Sequence, residues 1–356
     1  MPRVLAAALL WIGAQFHFVA AAADLAATAP ELPQSRGLGP GNLAVIINTS
    51  DPLSVAIGDY YVRRRHIPRT NVVRVHFDYQ RDDLPATEFA PLKASIDARV
   101  PKHVQAFALT WARPYRVGCM SITSAFAFGF DTKYCAAGCN LTWPDPYFNS
   151  SVTKPYDDLH VRPTMSIAAA DFDHAQALIE RGVRADRTEP RGTAYLLATD
   201  DTARNSRAPQ YPLTVPVARP RVNVELVHDA GIKNRPDVLF YFIGAQTVPT
   251  LDTNRFLPGA IADHLTSYGG MLTDSPQMSS LRWLEAGATG SYGTVVEPCS
   301  FPSKFPNIAV LLSFYLAGET LIEAYWKSVL MPGQGLFIGE PLASPFRGPV
   351  RSPPPP

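Results

Sequence analysis

Four thiols are the side chains best suited to covalent chemistry in this chain: Cys119, Cys135, Cys139 and Cys299. A nucleophilic cysteine needs a histidine within hydrogen-bond reach and an electropositive, partly exposed setting. Cys299 closes the stretch GATGSYGTVVEPCS, residues 287–300, where Glu297 would raise rather than lower a thiol pKa. An even cysteine count instead predicts two disulfides, with three pairings open. Cys135 and Cys139 have a C-x3-C spacing that zinc accepts, but no second hairpin of that kind completes the set. No metal site and no cofactor are expected.

Other chemistries fare no better from spacing alone. The eight histidines include no HExxH pair, and no GxSxG elbow or Walker motif occurs. Gly287, Gly290 and Gly293 follow a GxxGxxG pattern inside a strand-like run, so close packing on small residues is the expectation and a phosphate cradle is not. The densest polar group lies between Asp252 and Ser267. Asp252, Asn254, Asp263, His264 and Ser267 could furnish an unconventional hydrolase, with Asp263, His264 and Ser267 as its catalytic residues.

The elements that would position such groups follow from hydrophobic periodicity. Leu43–Ile47 is a continuous apolar run, as in a strand buried on both faces, and Asp51-Pro52 after it supplies a helix cap and a first-turn proline. Leu53, Ala56, Ile57 and Tyr60 make one stripe, Arg63, Arg64 and Arg65 suit the helix C-terminus, and Val73, Val75 and Phe77 alternate as a second strand. This is a right-handed βαβ unit. Helices are predicted in TEFAPLKASIDARV, DFDHAQALIERGV and QMSSLRWLEAG, and a broken or double helix around Gly318. Strands are predicted in VQAFALTW, TAYLLAT, VNVELV, DVLFYFI and ATGSYGTVVE. The fold class is therefore α/β, a three-layer sandwich with a mainly parallel sheet.

In such sheets ligands bind beyond the carboxyl ends of the strands. That rule selects Asn48, Arg113, Asp200, Arg204, Gln246 and Glu297 as binding candidates, with Asp252 and Asn254 from the polar segment. Residues 112–164 lose all periodicity and form an irregular, disulfide-pinned insertion, whose aromatic stretch 143–148 could dock another chain.

The 32 basic and 31 acidic residues balance along all 356 positions, which leaves no footprint for nucleic acid. Arg3, the apolar stretch Val4–Phe18 and Ala21-Ala22-Ala23 predict an export signal over 1–23, hence a periplasmic, cell-surface or extracellular protein with no membrane span once the signal is removed. A linker over 24–40, a single α/β domain over 41–346 and a disordered proline-rich tail over 347–356 complete the organisation.

The stretches INTSDPLSVAIGDYYVRRRHIP, LDTNRFLPGAIADHLTSYGG, GATGSYGTVVEPC and GQGLFIGEPL resemble an uncharacterised family of exported bacterial proteins. More distantly, the order of segments resembles the caspase-like fold of gingipain-type cysteine peptidases. That resemblance implies a strand presenting a histidine base, then one presenting the nucleophilic cysteine, then a glycine-rich strand. Here FYFIGAQ takes the first place with Ala245 where the histidine would stand, ADHLTSYGG takes the second without a cysteine, and GATGSYGTVV takes the third. The resemblance thus implies a degenerate, non-catalytic peptidase-like domain that binds a peptide, a glycan or an envelope partner. The hydrolase and the docking scaffold are the alternatives.

Overall fold

The computed structural model describes residues 37–136 and 138–348. The expected export signal, most of the linker and most of the proline-rich tail lie outside the described residues.

The first crossover forms as its sequence dictates. Strand β1 (Leu43–Asn48) is buried throughout. Helix α1 (Pro52–Arg64) starts where the Asp51 carboxylate accepts the Leu53 N–H at 2.9 Å. Strand β2 (Val72–Val75) pairs parallel with β1. The arginines at the end of α1 make ion pairs as well as serving the helix dipole: Arg64 bonds Glu180, and Arg65 bonds both Asp186 and Glu340. Helix α2 (Ala86–Arg99) leads to β3 (Ala106–Leu109), which pairs parallel on the other side of β1.

The insertion over 112–164 is more ordered than its sequence indicates. It holds the hairpin β4 (Arg116–Val117) and β5 (Met120–Ser121), helix α3 (Ile122–Phe128) and helix α4 (Pro155–Leu159), and it ends in β6 (Thr164–Ser166) beside β3. Six of the seven α3 residues are buried, so no polar face marks the helix in the sequence. Two disulfides pin this region, Cys119–Cys135 within it and Cys139–Cys299 to the distant loop beyond the glycine-rich strand. Cys135 and Cys139 enter different bridges, which removes the C-x3-C zinc hairpin.

Helix α5 (Phe172–Ala185) buries the expected Ala175, Leu178 and Ile179. The remaining elements are β7 (Thr193–Ala198), α6 (Tyr211–Ala218), β8 (Asn223–His228), β9 (Val238–Gly244), β10 (Phe256–Leu265), α7 (Leu281–Glu285), β11 (Gly290–Thr294), α8 (Ile308–Leu316), α9 (Leu321–Ser328) and β12 (Gly335–Gly339). Ten strands make one sheet in the order β2-β1-β3-β6-β12-β11-β10-β9-β7-β8, mainly parallel, with β12 antiparallel to β11. Helices pack on both faces, so the α/β class with a parallel sheet is what the chain adopts. Gly318, at φ +97°, breaks the last helical stretch into α8 and α9. The glycine-rich stretch is a packed strand: a Cβ on Gly293 would fall 2.5 Å from the Gly269 and Gly270 backbone, and one on Gly290 would strike Leu321 of α9.

Candidate binding groove

The polar segment 252–267 is not the loop its composition indicates. Most of it is β10, an internal strand between β9 and β11, and its two titratable residues point to opposite faces. Asp263 is completely buried and bonds Arg207 Nη2 at 2.5 Å. Burial pushes its carboxyl up, against the pull of that guanidinium. Arg207 comes from the turn before α6, fifty-six residues earlier, and lies against the Phe242 and Phe305 rings.

His264 is equally buried on the other face. Its Nε2 donates to the Met278 carbonyl at 3.0 Å, and its Nδ1 accepts the Trp283 indole N–H at 2.9 Å. Both ring nitrogens are therefore used, in one tautomer. Burial lowers its pKa to about 4. Ser267 lies beyond the strand end, and its hydroxyl makes no hydrogen bond among the described residues; its carbonyl accepts from Thr294. Asp263, His264 and Ser267 are thus not assembled into a triad.

The binding candidates separate into two groups. Asn48 is buried, its amide bonding the Phe77 main chain, which ties β1 to the end of β2. Asn254 is buried and satisfies the Ile232, Thr250 and Leu251 carbonyls. Glu297 accepts the Cys299 N–H at 2.7 Å and so shapes the turn that carries the disulfide. Arg113 faces Asp82 at 3.3 Å. These four are local struts. Asp200, Gln246 and Asp252, by contrast, line an open groove, with Arg204 bracing its wall.

The groove's first compartment lies over the carboxyl ends of β7, β8 and β9, on the side the strand-end rule selects. This compartment, about 610 Å³, is lined by Asp200, Asp201, His228, Asp229, Gln246 and Thr247, among others. A second, about 700 Å³, begins at the same Thr247 and is lined by Val248, Asp252, Gln277, Met278 and Arg282, among others. Thr247 lines both, so the two compartments are neighbours. The groove's floor depends on Gly244, where a Cβ would fall 2.0 Å from the Arg204 carbonyl; only glycine lets the 199–205 loop close over β9. Arg204 spans that loop, bonding Asp201 at 2.8 Å and the Thr266 hydroxyl at 3.2 Å. Gln277 accepts from Thr266 and from the Tyr268 N–H, and the Met278 N–H bonds the Gln246 carbonyl, so the 266–280 loop is fastened to the β9 end.

The first compartment is acidic. Asp200 holds His228 at 2.8 Å, Asp201 is paired with Arg204, and Asp229 makes no ion pair among the described residues. The second is mixed, Asp252 facing Arg282 at 3.4 Å. Among the described residues, no group of three His, Cys, Asp or Glu side chains is placed to hold a metal ion. His228, Asp229, Thr247, Gln277 and Arg282 were not singled out by sequence. The strand-end rule, extended to VNVELVHD, identifies the first two; the others depend on loop packing.

The insertion exposes part of its surface, including Leu141 and Trp143. Tyr147 and Asp145 of the 143–148 stretch are buried, while Trp143 is exposed with the Lys133 ammonium over its ring. No helix among the described residues is long and apolar enough to cross a membrane. No protein-family model, curated protein or solved structure matches the chain.

Proposed function

We propose that this chain is an exported, non-catalytic binding domain that holds an extended peptide in the groove beyond β7–β9, with a basic side chain in its acidic compartment. The observation that carries the reading is His264: a histidine with both nitrogens engaged and a lowered pKa is structural, and neither nitrogen bonds the Ser267 hydroxyl. Both thiol pairs are oxidised, which leaves no cysteine nucleophile among the described residues. They also support folding in an oxidising compartment, as export supplies.

The degenerate peptidase-like reading gains support from the neighbouring order β9-β10-β11, all parallel, which is the succession that the gingipain resemblance implies. Ala245 follows the first of these strands, and residues 266–270 after the second contain no cysteine. A peptide suits the groove better than a glycan. Its described lining carries no Phe, Tyr or Trp ring on which a sugar could stack, while Asp200, Asp201 and Asp229 attract a guanidinium or ammonium group.

Fluorescence polarisation with labelled peptides tests this. Lysine- or arginine-containing peptides should bind, with affinity falling about three- to tenfold in Asp200→Asn and Asp201→Asn. Peptide and ester substrates should show no turnover. Hydrolysis abolished by His264→Gln or Ser267→Ala would overturn the reading in favour of the hydrolase.

A further inference from the structure

The two ends of the sheet are finished differently. At one end, β2 has four residues, and the Arg99 guanidinium caps the outward Arg74 carbonyl at 2.9 Å. At the other end, β8 keeps six consecutive pairs with β7 and carries no bulge or proline. Its Asn223 and Asp229 N–H groups bond Gly192 and Ala198, so strand alternation turns the main-chain groups of Val224, Leu226 and His228 outward. None of these has a partner among the described residues. An edge of this kind is a template for another strand, and proteins usually blunt it.

Side chains around this edge favour the same event. Among the described residues four large apolar side chains stand out as exposed, and two belong here: Leu226 at 53% and Leu213, on the packed helix α6, at 68%. Val224 packs against the main core and Val227 against the smaller one, so Leu226 shares the α6 face of the sheet.

We propose that β8 pairs antiparallel with β8 of a second copy about a two-fold axis, joining the two sheets. The strand's own symmetry selects both partner and register. The outward residues 224, 226 and 228 are centred on Leu226, so an axis at that position sets Leu226 opposite its mate and each Val224 opposite the other copy's His228. All three outward positions then pair, giving roughly six ladder hydrogen bonds. Moving the axis by one residue sets Glu225 against Glu225 or Val227 against Val227 and pairs fewer outward groups, and sliding one copy by a single residue opposes outward groups to inward ones.

Charge agrees with this register. Arg219 and Arg221, before the strand, are exposed and make no ion pair among the described residues, and Asp229, after it, is likewise unpaired. Antiparallel pairing brings Arg221 of the second copy diagonal to Asp229, within the reach of a long side chain. Each copy would thereby close the outer end of the other's groove. The inference rests on the β8 edge and not on the groove's ligand, so either can fail alone.

The test is sedimentation velocity on the full exported chain between 1 and 100 μM. Wild type should be a dimer, Leu226→Lys a folded monomer, and Arg221→Glu should raise the dimer Kd about tenfold, restored by adding Asp229→Arg. Leu226→Cys should give a covalent dimer on oxidation, because directly paired Cα atoms lie at about 5.5 Å, whereas Asn223→Cys should not. A wild type that stays monomeric at 100 μM overturns the proposal. So does a dimer indifferent to Leu226→Lys and Arg221→Glu, whatever the peptide binding.

Discussion

Replacing His264 by glutamine separates a structural imidazole from a catalytic one. Glutamine can still donate to the Met278 carbonyl and accept from the Trp283 indole, but it cannot take up a proton. Burial holds the His264 pKa at about 4, against an ordinary value of 6.5. A folded pKa below the unfolded one means the unfolded chain binds the proton more readily. The resulting stability is complete above pH 6.5 and lost as pH falls through 4. At pH 5 the loss amounts to roughly 2 kcal/mol. Urea unfolding followed by tryptophan fluorescence at pH 7.5 and pH 5.0 should show wild type losing that much more stability than His264→Gln. Titrations common to both proteins cancel in the difference. A difference below about 0.5 kcal/mol, or a His264 imidazole resonance titrating near 6.5, would refute the buried, uncharged assignment.

Two further outcomes follow from the insertion. Asp145 is buried without a counter-ion, one oxygen accepting the Tyr147 N–H and the other unpartnered, and burial raises its pKa to about 8. Here the sign is opposite: the stability is present below the unfolded carboxyl pKa and lost as pH rises through about 8. Asp145→Asn should therefore gain on wild type by up to about 4 kcal/mol between pH 5 and pH 9, measured by urea unfolding. The disulfides differ in span, sixteen residues for Cys119–Cys135 and 160 for Cys139–Cys299. By loop-closure entropy, replacing the latter pair by serines should cost about 2 kcal/mol more than replacing the former, and equal losses would contradict that account.

Where local chemistry sufficed, the sequence was legible. Asp51-Pro52 marks the start of α1, and Gly318 its stated break between α8 and α9, because caps and positive φ are decided by neighbours. Helix α3 escaped because it is buried nearly all round, and β6 because three residues carry no period. Strand β10 escaped for another reason: Pro258, Gly259, Asp263 and His264 look like loop, and its ladder with β9 does shift register between Phe256 and Ile261. Of the candidate site, the strand-end rule found Asp200, Arg204 and Gln246 at the groove. It could not tell them from Asn48 or Glu297, whose polar atoms are consumed by main chain close by.

The chain's order of residues by itself determined the α/β class, the helix starts, the two-disulfide count and the balance of charge, since each depends on composition or on contacts within a few positions. Tertiary structure alone decided which cysteines pair, that Asp263 meets Arg207 and His264 meets Trp283, and which polar strand ends face solvent. Those outcomes depend on burial and on partners that lie 16 to 160 residues away. Desolvation acts in space, and no spacing along the chain encodes it.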